Sequence, residues 1–191
     1  MNSHLKAGLG ELAVLLMSAV LISATESRGE SPLAGDASTA FALHSQSFQE
    51  NGDIPKKFTC SGGDLSPELS WNGSPTGTES FVLIVTDPDA PSGDFTHWVV
   101  YDIPATINEV SEAASERGTL PKQALEGRND FGKIGYGGPC PPPGNGHRYV
   151  FTVYALGTRL NRPPGASRSQ IEQAMQKHVL AQAELTARYQ R

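Results

Sequence analysis

The chain has 191 residues, 38% of them hydrophobic, 18% charged and 7% aromatic, with 20 Gly and 14 Pro. Counting glycine brings the apolar share near the ~45–50% of globular domains, which excludes a disordered chain, and no Gly-X-Y period is present. A net charge of −5, spread along the sequence, excludes a nucleic-acid-binding face and a polybasic membrane patch, and two Cys exclude a disulfide framework.

Leu12 to Ala24 forms an apolar run. It is shorter than the ~20 residues of a membrane span and suits the hydrophobic region of a secretory signal peptide. Lys6 and the terminal amine give it a weak positive flank, Glu11 departs from the pattern, and Ser23, Ala24 and Ser27 offer small residues for cleavage. No Cys follows the run to carry a lipid anchor. Residues 1–27 are therefore expected to be a signal peptide, residues 28–39 a polar, mobile leader, and residues 40–191 one domain, exported to the periplasm or secreted.

No internal repeat is visible. Phe41 to Ser45 and Leu69 to Trp71 are weak strand candidates. Phe81 to Val85 is continuously apolar and β-branched or aromatic, the pattern of a strand buried on both faces. Trp98 to Ile103, closed by Pro104, and Tyr149 to Leu156, closed by Gly157, are two further strands. Between them Ala105 to Gly146 reads as a long, mostly irregular connection, and loops of that length are usually functional. Ser167 to Gln170 and Ser169 to Glu172 both fit a capping box. Ile171, Met175, Val179 and Leu185 then predict a C-terminal helix over Ile171–Arg188, with His178 as a surface or packing residue beside its stripe. The whole is mainly β with a helix packed on a sheet, and the strands do not alternate with helices as a doubly wound parallel sheet requires.

Residues with chemistry gather at strand ends. Asp87-Pro88-Asp89-Ala90-Pro91 follows the buried strand, and its prolines stiffen a turn that carries two carboxylates. His97 opens the next strand and His147 the last strong one. If these strands are neighbours, their ends converge. Gly135 to Gly144 is a Gly/Pro loop whose backbone N–H groups can approach an anion closely. The bland alternatives are a solvated proline turn, structural histidines and a plain loop.

These segments resemble the phosphatidylethanolamine-binding protein family, in its small bacterial Raf-kinase-inhibitor-like branch. The resemblance rests on the 87–91 turn, Thr96-His97-Trp98, and Tyr136 through Leu156. It also rests on Phe58-Thr59-Cys60-Ser61-Gly62, Ser66 to Trp71 and Asn129-Asp130-Phe131-Gly132, and it runs from Phe41 to the C-terminus. It implies a large central antiparallel sheet with a smaller second sheet and peripheral helices. It also implies a small pocket for phosphate or a phospholipid head group such as phosphorylethanolamine. By motif, the ligand-binding residues carried over are Asp87, Asp89, Pro91, His97, Gly138, Cys140, His147 and Tyr149. The link from the acidic turn to His97 is shorter than in the mammalian members, so kinase binding is not carried over. Two imidazoles, a tyrosine hydroxyl and glycine amides are suitable donors for phosphate, and an Asp beside a His fixes the ring tautomer.

The expected function is thus non-enzymatic binding of a small anionic ligand, with no cofactor and no metal. A protein-interaction or inhibitor module with a vestigial pocket stays open as an alternative, as do a homodimer and a protein partner. A metal site from Asp87, His97 and His147 lacks metal-ligand spacing. A metal-dependent phosphatase using Asp87 and Asp89 lacks the parallel α/β pattern, and a glycosidase needs carboxylates farther apart than this turn holds them. Cys60 and Cys140 are the only thiols. After export they can pair, which stabilises by on the order of 4 kcal/mol in the loop-entropy account. Otherwise they remain partly buried free thiols, one of them lining the pocket.

Overall fold

The computed structural model describes residues 40–191; the expected signal peptide and leader lie outside the described residues. The strands are β1 (Ala42–His44), β2 (Leu69–Asn72), β3 (Ser80–Asp87), β4 (Phe95–Pro104), β5 (Glu109–Val110), β6 (Leu125–Glu126), β7 (His147–Leu156) and β8 (Val179–Tyr189). Two short α-helices, α1 (Ala114–Arg117) and α2 (Arg168–Met175), and a 3-10 turn at Lys56–Phe58 complete the regular structure among the described residues. The named strands all pair antiparallel: a five-stranded sheet in the order β6-β4-β3-β7-β8 and a three-stranded sheet in the order β1-β2-β5.

β3 sits at the centre of the large sheet because neither of its faces is polar. Phe81, Leu83 and Val85 point to one side, where they meet Trp71, Leu69, Leu43 and Val110 of the small sheet. Val82 and Ile84 point to the other, where Ile171 and Met175 of α2 cover them. The layers are therefore small sheet, large sheet, helix, and the sheet's two apolar faces dictate both coverings. The long 105–146 connection carries only β5, α1 and β6, so most of it is irregular.

The C-terminal helix is shorter than its sequence pattern predicts. It begins as expected: the Ser167 hydroxyl accepts from the Gln170 backbone N–H, and the Gln170 side chain accepts from the Ser167 N–H at 2.9 Å. It ends at Met175, and the chain returns as β8, paired with β7 from Ala155↔Ala181 to His147↔Tyr189. The reason is a change of period. Ala183, Leu185 and Ala187 are buried while Gln182, Glu184 and Arg188 are exposed, an alternation of two that overrides the 3.6 spacing of Ile171, Met175 and Val179. Val179 itself is exposed, as is His178. β8 ends the sheet, but its edge is covered: Asn51 and Ile54 donate N–H groups to the carbonyls of Thr186 and Arg188, both at 2.7 Å.

This geometry sets up a direct comparison. Leu185→Ala should destabilise by roughly 2–5 kcal/mol, because it empties a buried strand position. Val179→Ala should change stability by less than about 0.5 kcal/mol. Urea denaturation of the two variants checks this; equal losses would restore the helical stripe.

Candidate functional site

The site follows from the sheet order. β3 runs outward and ends at Asp87, while its antiparallel neighbours β4 and β7 begin at the same end, so Asp87 pairs with Phe95 and Thr86 with both Thr96 and Val150. Asp87, His97 and His147 thus converge on one edge of the sheet. His97 owes its position to a bulge: Val85 faces Trp98 and Thr86 faces Thr96, leaving His97 as the extra residue. A bulge of this kind re-aims a side chain, and no sequence pattern announced it.

Asp87 is buried, and its two oxygens are held separately. Oδ1 accepts the Asp89 backbone N–H at 2.9 Å, and Oδ2 lies 2.7 Å from Nδ1 of His147. The His97 ring is also buried, with Nδ1 2.6 Å from the Gly137 carbonyl oxygen. Since a carbonyl can only accept, His97 donates from Nδ1. Both imidazoles therefore have Nδ1 engaged with the protein, and among the described residues neither Nε2 has a hydrogen-bond partner. Burial pushes the His97 pKa below its ordinary value, against the opposing pull of the Gly137 and Gly138 carbonyls and the Asp87 and Asp130 charges.

A cavity of about 160 Å³ opens over these groups. It is smaller than the ~300–1,000 Å³ of pockets for drug-sized ligands, so its size admits a head group rather than a large molecule. Of the residues singled out in the sequence, Asp87, Pro91, His97, Cys140 and His147 line it. Three do not. Asp89 turns away to Arg148, accepting from Nε at 2.9 Å, from Nη2 at 2.6 Å and from the backbone N–H at 2.9 Å. Those bonds hold its carboxyl well below the usual carboxylate range and leave the guanidinium occupied. Gly138 gives its N–H to Asp64 at 2.7 Å, and a side chain there would run into the Phe58 carbonyl. Tyr149 is wholly buried and packs edge-on to His97 with ring centroids 5.2 Å apart. Its hydroxyl has no hydrogen-bond partner among the described residues, and burial together with the Asp87 charge raises its pKa.

Ser92 and Phe95, which the sequence reading did not single out, complete the lining with Ala90 of the acidic turn, Pro141 and Pro142 of the Gly/Pro loop and Phe131, none of which it assigned to the ligand. Phe131 stacks edge-on against Phe95 and His97 and is still 44% exposed. A lone aromatic in a polar Gly-containing loop was the available signal. Ser92 makes no hydrogen bond to either imidazole among the described residues, and no group of three or more His, Cys, Asp or Glu there is placed to hold a metal ion. Cys60 and Cys140 form a disulfide across 80 residues, so the reading with two free thiols does not apply. It ties the 59–62 turn to the Gly/Pro wall of the cavity.

With this fold and strand-end site, the chain can be placed among known proteins. The sequence profile of the phosphatidylethanolamine-binding protein family matches residues 44–190, and the chain belongs to that family. It is 51% identical over 153 residues to a UPF0098 protein of Aquifex aeolicus, covering 78% of this chain and 88% of that one. It is 44% identical over 138 residues to the UPF0098 protein YbcL of Escherichia coli, covering 70% and 75%. The crystal structure of E. coli YbcL, described as a member of the mammalian PEBP family, superposes with a TM-score of 0.76 and 36% identity over 80% of this chain and 99% of that one. The Chlamydia trachomatis homologue CT736 gives 0.73 and 38%, over 80% and 98%. The names of these relatives state no reaction.

The buried His97 makes stability depend on pH. Its folded pKa lies below the unfolded value of about 6.5, so its contribution is fully present above that value and is lost as pH falls through the folded value. The melting temperature should therefore fall as pH drops from 7 to 5, and His97→Gln should flatten that slope. An unchanged slope in the variant would assign the acid sensitivity elsewhere.

Proposed function

We propose that this protein is a non-enzymatic binding protein whose strand-end cavity takes phosphate or a phosphorylated head group such as phosphorylethanolamine. The observation that carries the reading is the pair of imidazoles on one small cavity, each with Nδ1 anchored and Nε2 without a protein partner. The family's name adds support, since it specifies a lipid with a phosphate and an ammonium. The Cys60–Cys140 disulfide supports export, because such bonds persist in oxidising compartments.

The tautomers decide how an anion is held. A neutral imidazole with Nδ1–H given away presents only a lone pair at Nε2, which repels an anionic oxygen. Binding then requires a second proton on the ring, and the anion raises the ring's pKa on entering. Affinity is greatest below the His97 pKa of the free protein and declines until pH passes the value in the complex. The Arg148 guanidinium is held by Asp89 and no Arg or Lys lines the cavity, so the attraction is a few charge-assisted bonds, and affinity should be modest.

Calorimetry with phosphorylethanolamine should show His147→Gln and Asp87→Asn each weakening binding by roughly tenfold to a hundredfold, the worth of one charge-assisted hydrogen bond. Unchanged affinity in both would remove the site. A phosphodiester head group, which does not itself titrate near neutrality, should bind more weakly as pH rises from 5 to 9. The slope should reach about tenfold per pH unit where one proton is taken up. His97→Gln should lessen that slope; a flat profile in the parent would mean that the rings bind as they stand.

A further inference from the structure

A second cavity, of about 150 Å³, adjoins the first. Phe131 and Cys140 form part of both linings, so the two spaces meet at one exposed aromatic ring and the disulfide. The second has one residue of each charge in its lining. Asp64 and Lys133 both line it, and neither makes an ion pair with the other or with any other side chain among the described residues. The Asp64 carboxylate is partly occupied, since Oδ1 accepts the Gly138 N–H at 2.7 Å. That bond fixes the carboxylate against the cavity wall, while Oδ2 has no hydrogen-bond partner among the described residues. An anion and a cation left apart in one small space complement a zwitterion of the opposite arrangement.

Building on the reading of the first cavity as a phosphate site, we propose that the two cavities form one bipartite site for a small phosphorylated amino acid of the O-phosphoserine type. The phosphoryl group sits at His97 and His147. The α-ammonium meets Asp64, with the Phe131 ring beside it as a cation–π surface. The α-carboxylate meets Lys133. A phosphoryl ethanolamine has only the first two groups and leaves Lys133 without a partner. A phosphoserine inside a peptide has neither free terminus, so its ammonium and carboxylate contacts are absent. The same chemistry occurs in a free metabolite and in a serine phospholipid head group.

The test is calorimetry on the full chain with inorganic phosphate, phosphorylethanolamine, O-phosphoserine and its N-acetyl amide. O-phosphoserine should bind about tenfold or more tightly than phosphate, and the N-acetyl amide should match phosphate. Asp64→Asn keeps an oxygen for the Gly138 N–H and removes the charge; it should abolish the advantage of both amines and leave phosphate unchanged. Lys133→Gln, at an exposed position, should abolish only the margin of O-phosphoserine over phosphorylethanolamine. Sedimentation with phosphatidylserine vesicles, against phosphatidylglycerol vesicles, assigns the source: selective pelleting supports the lipid form, and binding of soluble O-phosphoserine alone supports the metabolite. If phosphate binds in a His147-dependent way but O-phosphoserine binds no tighter, the bipartite site is wrong and the phosphate site stands. If no phosphorylated ligand binds at all, both are wrong.

Discussion

A carboxylate buried at the end of a strand must be met by donors, and in this protein the cavity is arranged around that requirement. Asp87 closes the central strand of the large sheet with almost no access to water. An unpaired buried charge is costly, so its oxygens need fixed partners. One comes from the next turn of chain, the N–H of Asp89, and the other from the neighbouring strand, the imidazole of His147. The stiff Pro88 turn delivers the first, and the antiparallel register of β3 with β7 delivers the second. Once both are in place, the His147 ring has one orientation, with Nδ1 inward and Nε2 left over.

The rest of the site is a wall built against that corner. The 127–146 segment pairs with the start of β4 through the Gly137 N–H to the His97 carbonyl, while the His97 ring donates back to the Gly137 carbonyl. Gly138 passes too close to Phe58 for any side chain, and the Cys60–Cys140 disulfide fastens the same loop two residues later. Loss of that bond would release on the order of 4 kcal/mol of loop-closure entropy to the unfolded chain. The wall is thus held by backbone, by glycine fit and by a covalent tie, with Tyr149 and Phe131 packed edge-on to the His97 ring beside it.

Much of this was legible in the sequence, and the reason is physical. The three strongest strands announce themselves because β3 is apolar on both faces, and a strand apolar on both faces has to be central. Given that, the acidic turn and the two histidines at strand ends had to be neighbours if the strands were. What could not be read was direction. The bulge that turns His97, the rotation of Asp89 toward Arg148 and the capture of the Gly138 N–H by Asp64 are all tertiary contacts. The motif resemblance assigned those last two residues to the ligand; in the fold Asp89 is bonded to Arg148 outside the first cavity, and Gly138 is bonded to Asp64 in the lining of the second. The C-terminal segment misled for a different reason. Alanine suits helix, so the alternation of Ala183, Leu185 and Ala187 was hidden behind propensity until pairing with β7 decided it.

The tautomers of the two anchored imidazoles are directly observable. A long-range ¹H–¹⁵N correlation spectrum of protein labelled at histidine nitrogens, recorded with the rings neutral, distinguishes a protonated from an unprotonated ring nitrogen. In both His97 and His147, Nδ1 should be protonated and Nε2 unprotonated. On titration with phosphate the Nε2 resonances should shift toward the protonated range while Nδ1 stays nearly fixed. Protonated Nε2 in either free ring, or a phosphate response confined to Nδ1, would overturn this arrangement of the two rings.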